Sequence, residues 1–169
     1  MTSPATQILT RVQVEQKIRR IAFEIYENNF EESELVLAGI AGEGYVLAQQ
    51  LAEELRQIAP LKTTLLRIEF DKSLDQQPAI RLDATPDVYT SKAVVIVDDV
   101  LNTGRALAYS LQPFLAVPLV SLKVAVIVDR DHKRFPIAAT YIGYTLSTTL
   151  TEHVEVVLSD KERMGVYLR

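Results

Sequence analysis

The chain has 169 residues, 48% of them hydrophobic and 24% charged, which suits one sizeable core and is too short to expect two. Eighteen basic residues against 22 acidic ones give a net charge of −4, so nothing global points to a nucleic-acid or membrane surface. The absence of cysteine removes disulfides and thiolate metal sites, while the lack of a signal-like start or a membrane-length apolar run makes the cytoplasm the expected compartment.

In chain order, Val14, Ile18, Ile21, Ala22 and Ile25 recur at helical spacing and predict an amphipathic helix from about Val14 to Asn28. Leu35 to Gly39 reads as a short buried strand. Leu47, Ala48, Leu51, Ala52, Leu55 and Ile58 mark a second helix stopped near Pro60, and Leu61 to Phe70 has the β-branched and apolar content of another strand. Asp71 to Lys92 holds two prolines, four aspartates and no sustained period, so a long loop is expected before the next strand. Val94-Val95-Ile96-Val97 is that strand, buried on both faces. Leu107, Leu111, Phe114 and Leu115 form a third helical stripe, and Leu122 to Val128 a further buried strand. Short extended segments follow at Thr140 to Gly143, His153 to Leu158 and Val166 to Leu168. This alternation predicts an α/β fold in one domain over 1–169, a mostly parallel central sheet with helices on both faces.

The chemistry is expected where the third strand ends. Asp98 and Asp99 emerge at its carboxyl end, the place where open α/β sheets bind ligands. The small-residue loop Leu101-Asn102-Thr103-Gly104-Arg105 follows, able to wrap backbone N–H groups and a hydroxyl around an anion, with a helix beginning at Arg105 to add its dipole. Carboxylates that accept sugar hydroxyls beside a phosphate cradle fit a ribose 5-phosphate; the plain alternative is a strand with a polar turn and a helix cap. Ala41-Gly42-Glu43-Gly44, with Gly39 before it, makes a second strand-to-helix turn that permits close backbone approach to a phosphate, although its spacing matches neither the Rossmann nor the Walker pattern. His132 lies in a basic run with Arg130, Lys133 and Arg134, which reads first as a solvated turn and second as a base or partner contact. His153 reads as a strand-edge residue.

The stretch from Val94 to Arg105 resembles the phosphoribosyl diphosphate (PRPP) signature of type I phosphoribosyltransferases. The resemblance implies that Asp98 and Asp99 hold the ribose hydroxyls and a Mg²⁺ ion, that Leu101 to Arg105 bind the 5′-phosphate, and that Ala41 to Gly44 form the pyrophosphate loop. The second half narrows it: Val128-Asp129-Arg130-Asp131-His132-Lys133-Arg134-Phe135-Pro136-Ile137, Tyr141-Ile142-Gly143 and Val166-Tyr167-Leu168 look like the pyrimidine operon attenuators, bifunctional uracil phosphoribosyltransferases that bind messenger RNA. By that resemblance the partners are PRPP and a nucleobase, with uracil first, Arg130 and His132 are candidate base contacts, Asp71 to Lys92 is a mobile lid, and the protein is a homo-oligomer.

Departures accompany the match. Where the family's pyrophosphate loop resembles Lys-Thr-Arg-Gly, this chain has Ala41-Gly42-Glu43-Gly44, replacing two cations by none and adding a carboxylate. Mg²⁺ bridging Glu43 to the phosphates, or Lys72 and Arg81 from the lid, are the expected compensations, and a PRPP or nucleotide sensor without catalysis is the alternative function. The family's basic positions after Pro136 and Gly143 are Ala138 and Tyr144 here, and a histidine of the first helix is Phe23, which argues against specific RNA binding.

Overall fold

In the computed structural model, residues 4–69, 79–149 and 151–169 are described. A six-stranded sheet of order β4-β3-β2-β5-β6-β7 forms the centre, built from β2 (Glu34–Ile40), β3 (Lys62–Glu69), β4 (Arg81–Leu82), β5 (Ala93–Leu101), β6 (Ser121–Asp129) and β7 (Tyr141–Thr145). All neighbours run parallel except β4, which pairs antiparallel with β3 at Ile68 and Glu69. Successive side chains of a strand point to opposite faces, and here both faces are apolar. Leu35 and Leu37 of β2, Val95 and Val97 of β5 and Ile127 of β6 enter one cluster, while Val36, Ala38, Ile40, Val94, Ile96 and Val126 enter the other.

The first cluster is covered by α1 (Arg11–Asn29) and α2 (Glu43–Ile58). Helix α1 begins earlier than its apolar stripe because Thr10 and Gln13 form a reciprocal capping box, each side chain bonded to the other's main-chain N–H. The second cluster is covered by α3 (Arg105–Ser110) and α4 (Gln112–Leu115) and by Tyr89, whose ring meets that of Phe114 edge-on at 4.9 Å. The single helix expected from Arg105 to Leu115 is two short ones, since Pro113 has no N–H to continue the ladder past Leu111.

A second, three-stranded antiparallel sheet of order β1-β9-β8 joins β1 (Thr6–Leu9) to β8 (Val154–Val157) and β9 (Gly165–Leu168). It contributes Leu9, Val154, Val156 and Val166 to the cluster beneath α1 and α2. The last three extended segments of the sequence therefore part company, Tyr141–Thr145 extending the parallel sheet and the other two pairing with each other, β9 also pairing with the chain's beginning.

The long loop expected over Asp71 to Lys92 is corrected over its described part. Residues 70–78 lie outside the described residues; from 79 onward the chain makes β4, a 3₁₀ turn at Pro86–Val88 and a fully packed Tyr89, 3% exposed. That half of the expected lid is anchored to the sheet. Among the described residues no helix is long and apolar enough to cross a membrane.

Candidate active site

Central strand β5 delivers Asp98 and Asp99 to the carboxyl edge of the sheet. Asp98 is 2% exposed, its Oδ1 accepting the N–H of Asp99 at 2.9 Å; the Asp99 Oδ1 accepts the N–H of Val100 at the same distance. Asp98 is walled by the first turn of α2. A methyl group on Gly44 would lie 2.8 Å from the Asp98 Oδ1 and 3.0 Å from the Val97 carbonyl, so only glycine lets that helix approach so closely.

Past Leu101 the chain turns through Asn102, Thr103 and Gly104 into α3. Gly104 has φ +87°, the left-handed region, and a Cβ there would strike Ile137 at 2.2 Å. The Thr103 hydroxyl accepts the N–H of Arg105 at 3.3 Å. The segment after β6 grips this loop from behind: the Leu101 carbonyl accepts from Arg130 N–H at 3.0 Å, and the Thr103 carbonyl accepts from Arg134 and Phe135 N–H at 2.7 and 3.1 Å. With six residues, α3 offers less dipole than the long helix expected from the sequence. The donors that this turn presents are thus its own amides and the Thr103 hydroxyl more than a helix dipole.

A cleft of about 380 Å³ opens along Asp98 to Leu107 and is also lined by His153 and by Val154, Glu155 and Val156 of β8. His153 and Glu155 were not foreseen as cleft residues, and no local pattern could have found them, because they reach the cleft through a sheet in which β9 joins β8 to β1 from the other chain end. His153 exchanges both main-chain hydrogen bonds with Arg169, and Glu155 is ion-paired to Arg169 at 2.7 Å.

The basic run after β6 is exposed at Lys133 and Arg134, as the solvated turn expected, but not at Arg130. Arg130 is 8% exposed; its guanidinium donates to Asn102 Oδ1 at 2.9 Å, to Thr148 Oγ1 at 2.9 and 3.0 Å, and to the Glu152 carbonyl at 2.6 Å. His132 Nε2 lies 2.6 Å from the Thr148 carbonyl and so carries the donated proton. Both candidate base contacts thus have engaged side chains, Arg130 tying the Asn102 turn to Thr148 and Glu152 and His132 held on Thr148, ahead of β8. The reason is chemical: a planar guanidinium can satisfy several acceptors at once where a loop leaves carbonyls unpaired.

The Ala41–Gly44 turn lies next to Asp98 through Gly44, but Glu43 does not act as a loose carboxylate in it. Glu43 Oε2 accepts the N–H groups of Leu158 and Ser159 at 2.7 and 3.2 Å, and Oε1 accepts the Ser159 hydroxyl at 2.6 Å. Three donors hold it against the end of β8, which corrects the expectation of a residue open for bridging to phosphate. Of the two suggested compensating cations, Arg81 faces Glu69 at 3.9 Å and Lys72 lies outside the described residues.

For a metal, hard carboxylate oxygens sit at the cleft, yet the described residues hold no group of three or more acidic or imidazole ligands. Such a donor set fits Mg²⁺ that arrives with a polyphosphate, which borrows one or two carboxylates, and not a resident all-protein cage.

Residues 4–162 match the family model described as phosphoribosyl transferase domain. The bifunctional protein PyrR of Deinococcus deserti is 35% identical over 170 residues, covering 96% of this chain and 92% of that protein. The bifunctional protein PyrR of Bacillus pumilus is 34% identical over 165 residues, 92% of each. Among solved structures, a hypoxanthine-guanine phosphoribosyltransferase of Bacillus anthracis superposes with a TM-score of 0.74 at 19% identity, covering 96% of this chain and 95% of that one. A hypoxanthine phosphoribosyl transferase of Trypanosoma cruzi gives a TM-score of 0.73 at 19% identity over 88% and 82% of the two chains. Those two likenesses bear on the fold.

Proposed function

Since the chain belongs to the phosphoribosyl transferase family, and within it to the PyrR proteins, we propose that it transfers the ribose 5-phosphate of PRPP to a nucleobase with release of pyrophosphate, uracil being the first candidate base. It is a pentosyltransferase by family. The observation that carries the finer reading is the unbroken run from Asp98 to Gly104, in which two carboxylates lead directly into an amide-lined turn at the edge of one cleft.

In this reading the 5′-phosphate rests on the turn amides and Thr103, and the ribose hydroxyls donate to Asp98 and Asp99, which fixes the anomeric carbon in the cleft. The C1′–O bond to pyrophosphate breaks as a nucleobase nitrogen forms the C1′–N bond, and the nitrogen loses its proton. Positive charge developing on the sugar is stabilised by the two carboxylates, already oriented by their neighbours' amides. Mg²⁺ bound through Asp98 or Asp99 and the diphosphate would neutralise charge on the departing pyrophosphate.

A second reading, a PRPP or nucleotide sensor without turnover, is favoured by one feature: the Ala41–Gly44 turn contains no cationic side chain and commits its carboxylate to Ser159. One assay separates the two. Base-dependent pyrophosphate release from PRPP and Mg²⁺ is the result expected of the transferase; PRPP binding with no release on any common nucleobase would establish the sensor, and neither binding nor release would remove both.

A further inference from the structure

The pyrophosphate of PRPP carries several negative charges and departs with them, so a cation fixed beside it would be worth more than one drawn from solvent. Resting on the transferase reading, we propose that Arg67 is that cation: it holds the diphosphate from strand β3, supplying the positive charge that the Ala41–Gly44 turn does not carry.

Arg67 lies near the carboxyl end of β3, opposite Gly39 in the parallel register, so it flanks β2 two residues before Ala41. The next pair along, Ile40 and Ile68, leads straight into the turn, where the Ala41 N–H donates to the Ile68 carbonyl at 2.8 Å. Gly39 has no side chain to fill the space between the strands and α2. A Cβ there would come within 2.6 Å of the Tyr45 Cα, and its absence lets the first turn of α2 settle against the sheet. Tyr45 then lies beneath the Arg67 guanidinium, 4.3 Å from ring centroid to Cζ.

Such stacking orients a guanidinium while leaving its N–H donors in the plane, where a planar or tetrahedral oxyanion can take two of them. Arg67 is exposed, and among the described residues it forms no ion pair. The neighbouring acid, Asp83, is engaged elsewhere, its Oδ1 accepting the main-chain N–H of Arg67 at 2.7 Å. Glu43, the acid within the turn, is held by Leu158 and Ser159. A cation clamped by an aromatic ring, with Asp83 and Glu43 bound to main-chain amides and Glu69 paired to Arg81, is placed to receive an anion from outside the protein. The ligand chemistry is a diphosphate ester.

Calorimetric titration of the intact protein with PRPP, inorganic pyrophosphate and ribose 5-phosphate, each with Mg²⁺, tests this. Arg67→Gln is expected to weaken PRPP and pyrophosphate by about tenfold or more, the loss of a charge-assisted contact, while ribose 5-phosphate affinity stays unchanged. Arg67→Lys should recover part of the loss, and Tyr45→Phe, which keeps the ring, should bind as the wild type does. Unchanged pyrophosphate affinity in Arg67→Gln overturns the assignment, as does an equal loss for ribose 5-phosphate, the mark of a merely structural role. Wild-type protein that binds ribose 5-phosphate but not pyrophosphate overturns Arg67 alone; wild-type protein that binds neither removes the transferase reading with it.

Discussion

Two adjacent carboxylates sit in unequal surroundings, one walled in and the other partly exposed. Asp98 is packed against Gly44 and braced on the Asp99 amide, whereas Asp99, which lines the same cleft, is partly exposed. Asp→Asn keeps the shape and removes the charge, so we expect each of Asp98→Asn and Asp99→Asn to lower PRPP affinity by at least about tenfold while melting within a few degrees of the wild type. Titration beside a thermal scan checks both halves, and undiminished PRPP affinity would dismiss these residues from the site. Gly44→Ala tests the wall itself. A methyl group 2.8 Å from the Asp98 oxygen must push the start of α2 away, at a cost of about 1–3 kcal/mol in chemical denaturation and with weakened PRPP binding.

At the scale of elements, Arg130 fastens three pieces of chain: the Asn102 turn, Thr148 and the approach to β8 at Glu152. Arg130→Met keeps much of the volume but leaves those acceptors without a partner, and we expect a loss of about 3 kcal/mol. Faster amide hydrogen exchange confined to residues 101–104 and 146–156 is the expected signature; uniform exchange would show that the fastening is not local. The same elements mark how far the sequence could be read. Val94 to Gly104 declared itself because a strand buried on both faces and an acid pair followed by small residues are local patterns, complete within a dozen positions. Strands β2, β3 and β6 and helices α1 and α2 were legible for the same reason. Nothing local could show that Thr6–Leu9 would pair with Gly165–Leu168, or that His153 and Glu155 would face Asp99, because those depend on contacts between distant parts of the chain. Arg130 misled for a related cause: a run of charged residues from Asp129 to Arg134, broken only by His132, looks like surface, and the acceptors that bury Arg130 lie 18 or more residues away, at Thr148, Glu152 and Asn102.

For the molecule as a whole, charge and burial set the working range. Tyr141 and Tyr89 are 1% and 3% exposed, and burial raises both phenol pKa values above the ordinary value near 10, the Asn28 amide on Tyr141 opposing only part of that rise. Both remain neutral in the folded protein where the unfolded chain would ionise, so their contribution is whole below about pH 10 and is lost as pH climbs past it. Denaturant titrations between pH 8 and 11 should show stability falling across that upper interval, and Tyr141→Phe should flatten the fall; a flat profile in the wild type would contradict the burial argument. The net charge of −4, with Ala138, Tyr144 and Phe23 at the places where basic residues or a histidine were looked for, leads us to expect only weak RNA association that fades with added salt. Tight binding of a structured pyrimidine leader at physiological salt would reverse that expectation.

Glu43 and Ser159 are 116 positions apart in the chain. During synthesis, therefore, the Ala41–Gly44 turn leaves the ribosome long before the donors that complete it, and a nascent chain halted ahead of Leu158 has a finished parallel sheet beside an unfinished active-site wall. Synthesis itself thus orders the contact: the turn that Glu43 opens is closed only when all but the last strand has been made.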